Sequence, residues 1–409
     1  MALPVISAVN AAMKYLYPDG EPRKAIQSTR EFLKRAKKDT SFTGEWAYVP
    51  ILHGDAQGIG TDIPTAQGAV SETLYKRFQL TRVKHYAVAR IDGELMEAAA
   101  SRGAGSMVDM WKAQLDSTLN KANNWHATHA YGNGSGALGQ ISSGSASTTV
   151  TLASGTNMNY FDLNAKLGAI STNTTSATVR SGTARVTGID RRAKTLTFAA
   201  APNTTIAGLT DGDYFVYDGD GTSSGTAKVP TGLDEYIKSS PGTLFGLDRS
   251  VDPVRLAGQE FDATGFSRED AIAEATARAG EQGCGYPNVA FFHNSDFAAL
   301  KRSIGSKLIL DRTASAVGKA SFSSVVIEGE NGPVECVVDP FAPIGKPFLL
   351  KMDEIDLYSL NGAPHLKKDD GQNYARLAAD DAIEARWAFY GNWRMKNPAP
   401  QVKITNYGS

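Results

Sequence analysis

Cysteine is almost absent from this chain: Cys284 and Cys336 are the only two among 409 residues. Two thiols build neither a disulfide framework nor a four-cysteine zinc site, which points to a reducing compartment and small buried thiols. No stretch approaches the roughly 18 uninterrupted apolar residues that a membrane-spanning helix needs. Residues 1–17 also lack the basic head and long apolar run of a secretory signal. Synthesis and folding in cytosol, with no membrane partner, are the expectation. An excess of one charge is missing too. Lys plus Arg total 42 against 43 Asp plus Glu, a formal net charge of -1, so no global field gathers nucleic acid or an anionic lipid surface.

Signatures of catalysis are equally scarce. There is no G-x-S-x-G elbow, no HExxH, no P-loop and no CxxC. The run Gly134-Ser135-Gly136-Ala137-Leu138-Gly139 has the letters of a dinucleotide fingerprint, but it follows a predicted helix and precedes a β-rich stretch. No helix N-terminus would then face a pyrophosphate. His126 and His129, three apart, could share a metal, yet no third ligand stands at a suitable spacing, so one packed and one solvated histidine is the expectation. Asp211, Asp213, Asp218 and Asp220 alternate with glycines but lack the loop and terminal glutamate of a calcium site; turn chemistry explains them. The residues imply no cofactor, no metal and no catalytic side chain.

What the chain does have is a globular composition, 42% hydrophobic and 21% charged, and length enough for two or three cores. Residues 21–38 read as a basic helix, with Ser28 and Glu31 at capping-box spacing and Phe32 and Leu33 as its strong apolar residues. Arg30, Lys34, Arg35, Lys37 and Lys38 make a solvated face by default, with contact to nucleic acid or an acidic neighbour as the alternative. Residues 42–52 and 73–88 read as the two strands of a long ribbon with a glycine-rich, flexible tip. Such a ribbon is marginal alone and leaves open edges.

Residues 105–131 repeat Met107, Trp111, Leu115, Thr118, Leu119, Ala122 and His126 at helical spacing, a helix roughly 40 Å long. From 142 to 231 the composition turns to Ser, Thr, Gly and Asp. Short β runs at 148–152, 177–187, 195–199 and 214–217 suggest an all-β module. Beyond 232 the pattern is mixed α and β. It includes an extended loop through Asp252-Pro253, a helix at 268–279 opened by Ser267 and a strand at 289–292. Ser295 is placed to cap a helix at 296–303. Asn331-Gly332 marks a hairpin, and strands follow at 348–352, 355–360, 382–390 and 402–405.

In that order the pieces resemble the major capsid proteins of tailed bacteriophages, an α+β architecture known as the Hong Kong 97-like capsid fold. The likeness rests on the basic lead-in, the ribbon, and Ile91-Asp92-Gly93-Glu94-Leu95-Met96 before the long helix with its Tyr131-Gly132-Asn133-Gly134 exit. It continues through Pro287-Asn288-Val289-Ala290-Phe291-Phe292, Val337-Val338-Asp339-Pro340-Phe341-Ala342-Pro343 and Tyr390-Gly391-Asn392-Trp393. The resemblance implies an N-terminal arm at 1–41, an extended loop at 42–90 and a peripheral domain with spine helix at 91–141. An inserted β-rich domain at 142–231, an axial domain at 232–381 and return strands at 382–409 complete it.

It further implies a structural role in the virion rather than catalysis. Copies would assemble in host cytoplasm as hexamers and pentamers of an icosahedral shell. The expected partners are a scaffolding protein and portal, a decoration protein, and double-stranded DNA held by non-specific contact. Phe42, Trp46, Tyr48, Phe78, Arg30 and Arg35 are the expected assembly residues. Too few residues precede the ribbon for a cleaved scaffolding segment, so the expectation is either a separate scaffold or a mature form. The tip at 53–71 holds no lysine, which argues against a covalent cross-link there. An encapsulin-type compartment, a β-rich adhesin and, third, a metal enzyme using the aspartates of the β-rich stretch are the rival readings.

Overall fold

The computed structural model describes residues 29–93, 110–223, 225–282, 285–304, 324–329, 332–368, 371, 374–377 and 380–408. They form two six-stranded sheets, a closed barrel, and a ribbon beside small two-stranded pieces. The basic helix is much shorter than its composition predicts. α1 spans Glu31–Arg35, and β1 (Lys37–Asp39) is a strand; Ser28 and the residues before it lie outside the described residues. Pairing overrides helical propensity here, because β1 lies parallel to a later strand at Ile355–Ser359 and Asp39 meets Arg394 at 2.7 Å.

The ribbon consists of β2 (Trp46–Gly54) and β3 (Leu74–Thr81), antiparallel. Its tip is not bare loop, since it carries α2 (Ile63–Gly68), whose N–H at Thr65 donates to the Asp62 carboxylate at 2.7 Å. Gly60 belongs there because a Cβ would stand 2.6 Å from the Ala66 nitrogen. Only Arg82 separates β3 from β4 (Val83–Asp92), so the predicted second strand is two. α3 (Met110–Ala130) is the long helix; Gly105 and Met107, its expected start, lie outside the described residues.

Six strands then close a barrel: β5 (Gly139–Ser143), β6 (Thr149–Leu152), β7 (Lys166–Ile170), β8 (Ala184–Asp190), β9 (Thr195–Phe198) and β10 (Tyr214–Tyr217). The ring order is β9-β6-β5-β10-β7-β8, every pairing antiparallel. Val150, Leu152, Val186, Leu196, Phe198 and Phe215 are buried in its core. Closure satisfies the strand edges that an open Ser/Thr-rich sheet would leave to solvent.

The second half builds a sheet from β11 (Gln259–Asp262), β12 (Val289–Phe292), β13 (Ser324–Gly329), β14 (Gly332–Val338) and β15 (Phe348–Leu350), together with a strand at Val402–Thr405. Helices α4 (Arg268–Glu281) and α5 (Asn294–Ile304) belong to the same half. Ser267 caps α4 by accepting the Asp270 N–H. At α5 the Ser295 N–H donates instead to His293 Nδ1 at 3.2 Å, so His293, not Ser295, supplies the cap. β13 and β14 pair antiparallel with Gly329 opposite Gly332. Further strands are β16 (Ile355–Ser359), β17 (Ala382–Met395) and β18 (Val402–Thr405), and short strands at His365–Leu366 and Ala375–Arg376 pair with β17 to complete the other six-stranded sheet. β17 runs through the other sheet, with β4 along one side and β16 on the other.

One ring joins these parts. Phe32 of α1 lies 5.4 Å from Tyr131 at the exit of α3, 5.4 Å from Phe291 of β12 and 5.1 Å from Trp393 of β17. The Phe32 N–H donates to Asp339 at 2.9 Å, and Tyr131 Oη–H donates to the same oxygen at 3.1 Å. The segment before the ribbon, which as an isolated basic helix could not bury Phe32 and Leu33, is therefore held by its own chain at residues 29–39. Replacing Phe32→Ala removes a fully buried ring at the junction of two sheets and a helix. The expected loss is about 3–5 kcal/mol, read from the shift of the urea unfolding midpoint.

Candidate assembly surface

Alternation along β2 divides the ribbon into two unlike faces. Val49 and Ile51, with Phe78 and Leu80 of β3, are buried. Their backing comes from residues far along the chain: Phe78 meets Tyr236 edge-on at 6.0 Å, and Leu244 and Leu247 of a small hairpin belong to the same core. Arg249, wholly buried, fixes that support by donating to the carbonyls of Gly242, Glu235 and Tyr236. Two bonds tie the ribbon to it, from the Gln79 N–H to the Phe245 carbonyl at 2.9 Å and from Arg255 to the His53 carbonyl at 2.9 Å. Nothing in the local pattern around residues 235–255 announces this support, which sequence reasoning reads as an extended loop.

The opposite face is open. Trp46 (48% exposed), Tyr48 (51%), Leu52 (51%) and Tyr75 (67%) form a row of apolar side chains, with Leu52 directly across from Tyr75. Arg77 caps the middle of the row, its guanidinium 4.4 Å from the Tyr48 ring centre. Ile59, Ile63 and Val70 extend the exposed apolar surface into the tip.

Edge geometry adds a second property. The Gln79 N–H is used toward Phe245, away from β2, so the pair Tyr48–Gln79 is of the non-hydrogen-bonded kind. By parity Pro50 opposite Arg77 is as well. Pro50 thus sits where an outward N–H would otherwise stand, in the middle of an edge with no strand partner among the described residues. A proline there blocks strand addition. The face, not the edge, is the surface available to another molecule.

The expected assembly residues separate accordingly. Trp46 and Tyr48 lie on the open row. Phe42 and Phe78 are buried within the chain, Phe42 stacked on Tyr358 at 4.7 Å. Arg30 donates to Asn120 and Asn124 at 2.8 and 2.5 Å. Arg35 makes a two-pronged pair with Glu335 at 2.6 and 2.8 Å, and those hydrogen bonds raise its pKa. Sequence pattern misses Leu52, Tyr75 and Arg77, because only the pairing register reveals that they share a face with Trp46.

The other chemical candidates disperse. Asp211 accepts from the Ser145 N–H, Asp213 pairs with Arg180, Asp218 with Lys166, and Asp220 accepts from Trp125 Nε1–H. They do not converge on one point. Among the described residues no group of histidine, cysteine or carboxylate side chains has the arrangement of a metal site. Gly134 and Gly136, both at positive φ, lead out of α3 into β5. His129 is not solvated; it and His126 are both buried.

No protein-family model matches the sequence and no curated protein matches it. Solved structures do. A chain of the cyanophage A-1(L) capsid asymmetric unit aligns over 95% of this chain and 96% of its own length, at 10% identity and a TM-score of 0.51. The capsid of a native GTA particle aligns over 98% and 99% at 8% identity and 0.49. An encapsulin complex from Synechococcus elongatus aligns over 99% and 96% at 10% and 0.44. The chain shares the fold of a phage capsid protein.

Two variants separate the ribbon's faces. Trp46→Ser with Leu52→Ser is expected to change the stability read from urea unfolding by no more than about 0.5 kcal/mol while reducing any self-association seen in sedimentation velocity; Phe78→Ala costs about 3–5 kcal/mol. Pro50→Thr restores the missing edge donor, so light scattering of the purified protein rises relative to wild type at equal concentration.

Proposed function

We propose that this chain is the shell-forming subunit of a virion, a major capsid protein that encloses double-stranded DNA, and that it performs no catalysis. The observation that carries this reading is the ribbon with one face backed by its own chain and the other left as an apolar row, on a fold shared with a phage capsid protein. Monomeric proteins rarely expose contiguous apolar patches of this kind without a partner. A repeated subunit supplies one by symmetry.

On this reading the ribbon is the extended loop that lies across a neighbouring copy, α3 is the spine helix, and the first sheet belongs to the peripheral domain. The sheet containing β11–β15 serves the axial domain, and β18, expected among the strands returning to the peripheral domain, pairs into that sheet instead. The barrel, entered at β5 and left after β10, is the inserted module, projecting from the shell or bracing neighbours. Hexamers and pentamers would be the building units, with a scaffolding protein, a portal and a decoration protein as further partners. Near-zero net charge suits DNA retained by confinement, which asks for few contacts with phosphates.

Expression of the whole chain followed by gel filtration and negative-stain microscopy tests the reading. Closed particles far larger than any small oligomer are expected, and the Trp46→Ser, Leu52→Ser variant should elute mainly as small species. A wild-type chain that stays monomeric at every concentration and with co-expressed head proteins would sink the proposal.

A further inference from the structure

Three imidazoles meet where the ribbon's continuation, the long helix and the barrel come together. His85 of β4 stacks flat on Trp125 of α3, ring centres 3.7 Å apart and planes 11° from parallel. His126 lies 5.7 Å from His85 and 4.4 Å from Phe389 of β17. His129 packs against Trp125 at 4.6 Å, and its Nε2 stands 3.4 Å from Asp220 in the loop after β10. Both ring nitrogens of His126, and Nε2 of His129, lack a hydrogen-bond partner among the described residues. A buried polar atom without a partner costs about 1–3 kcal/mol, so this cluster is a weak seam in an otherwise apolar contact.

The charges around it are unequal to a second proton. Asp220 is the single carboxylate facing the cluster among the described residues; it faces His85 and His129 and already accepts the Trp125 Nε1–H at 2.6 Å. His126 is faced by His85, by His129 and by Lys38 of β1, all of which oppose its charging. The element on its remaining side presents Phe389, which carries no charge. No metal site among the described residues accounts for polar rings at this position.

We propose that His85 and His126, packed together beside Trp125, form an acid-released catch. Charging these two rings parts β4 from α3 at the root of the ribbon while the barrel and the second sheet stay closed. The sign follows from burial. Desolvation lowers the pKa of His85 to about 4 and that of His126 well below its ordinary value. The open state therefore binds more protons than the closed one below about pH 6.5, and the contact weakens as pH falls through that range. It is fully held above it. For His85 alone, a value of about 4 closed and 6.5 open raises the open population roughly thirtyfold at pH 5. This holds whether or not the chain builds a shell, since the joint is internal to one copy.

Hydrogen–deuterium exchange on the whole chain, corrected for the intrinsic pH dependence, tests it at pH 7.5 and pH 5. Peptides from β4 and from the second half of α3 are expected to lose protection by about thirtyfold or more, with β6 and β8 of the barrel changing by less than about twofold. In His126→Phe, and separately in His85→Phe, which keeps the stack on Trp125, that selective loss shrinks. Loss spread evenly over the molecule, no loss at all, or a selective loss undiminished in both variants overturns the proposal.

Discussion

Asp339 is the constraint from which the arrangement of this molecule follows. Its carboxylate lies fully buried and accepts from the N–H of Phe32, the N–H of Phe341 and the hydroxyl of Tyr131. Burial pushes its pKa up, opposed by those three donors. A buried carboxylate is stable only when so surrounded, and here the donors come from α1, from the turn after β14 and from the end of α3. Satisfying one group therefore locks three distant segments together, and Phe32 fills the gap they enclose. The ribbon leaves the body just after this lock, past Phe42 on Tyr358, and returns into ten residue pairs between β4 and β17. Both of its roots are fixed, so its outer face is held in the open rather than folded back.

Much of the fold is legible where apolar alternation is bounded by turn residues. The strands at Tyr214–Tyr217, Val289–Phe292 and Val402–Thr405 have the limits that their residues announce. Other strands carry no such signal. Gly139-Gln140-Ile141-Ser142-Ser143 and Lys166-Leu167-Gly168-Ala169-Ile170 have few branched or aromatic residues, and their extended form comes from closing the barrel. β17 runs five residues past its expected end through Gly391, where a Cβ would stand 2.3 Å from the Tyr358 carbonyl oxygen. Only glycine allows β16 to approach there, and a glycine read locally suggests a stop.

The candidate surface is half legible for the same reason. Trp46, Tyr48 and Phe78 are all strand aromatics, and residue type alone assigns them alike. Which face each occupies depends on parity relative to a support built from Tyr236, Leu244, Leu247 and Arg249, in a distant part of the chain. The expectation of one solvated histidine fails the same way: spacing places His126 and His129 on a helix, but the Asp220 loop, distant in the chain, lies beside His129. Local pattern identifies elements; distant packing decides which side of them is used.

Magnitudes then limit how the open row can act. Trp46, Tyr48, Leu52 and Tyr75 are already partly covered, and full burial of such side chains is worth about 1.5–3 kcal/mol each from complete exposure. Covering what remains returns roughly 3–6 kcal/mol for the whole row. Association of two bodies costs an estimated 4–15 kcal/mol in lost freedom, on the order of the gain or above it, so one ribbon laid on one neighbour is marginal at best. Pro50 at the edge and Arg77 over Tyr48 weaken the surface further, against indiscriminate strand pairing. A contact tuned to be insufficient alone becomes decisive when each copy gives one and receives one, because later contacts form between molecules already tethered. On the proposed reading the exposed face is a poor adhesive for a dimer and a suitable one for a closed array, and that difference is set by a short row of side chains and the proline between them.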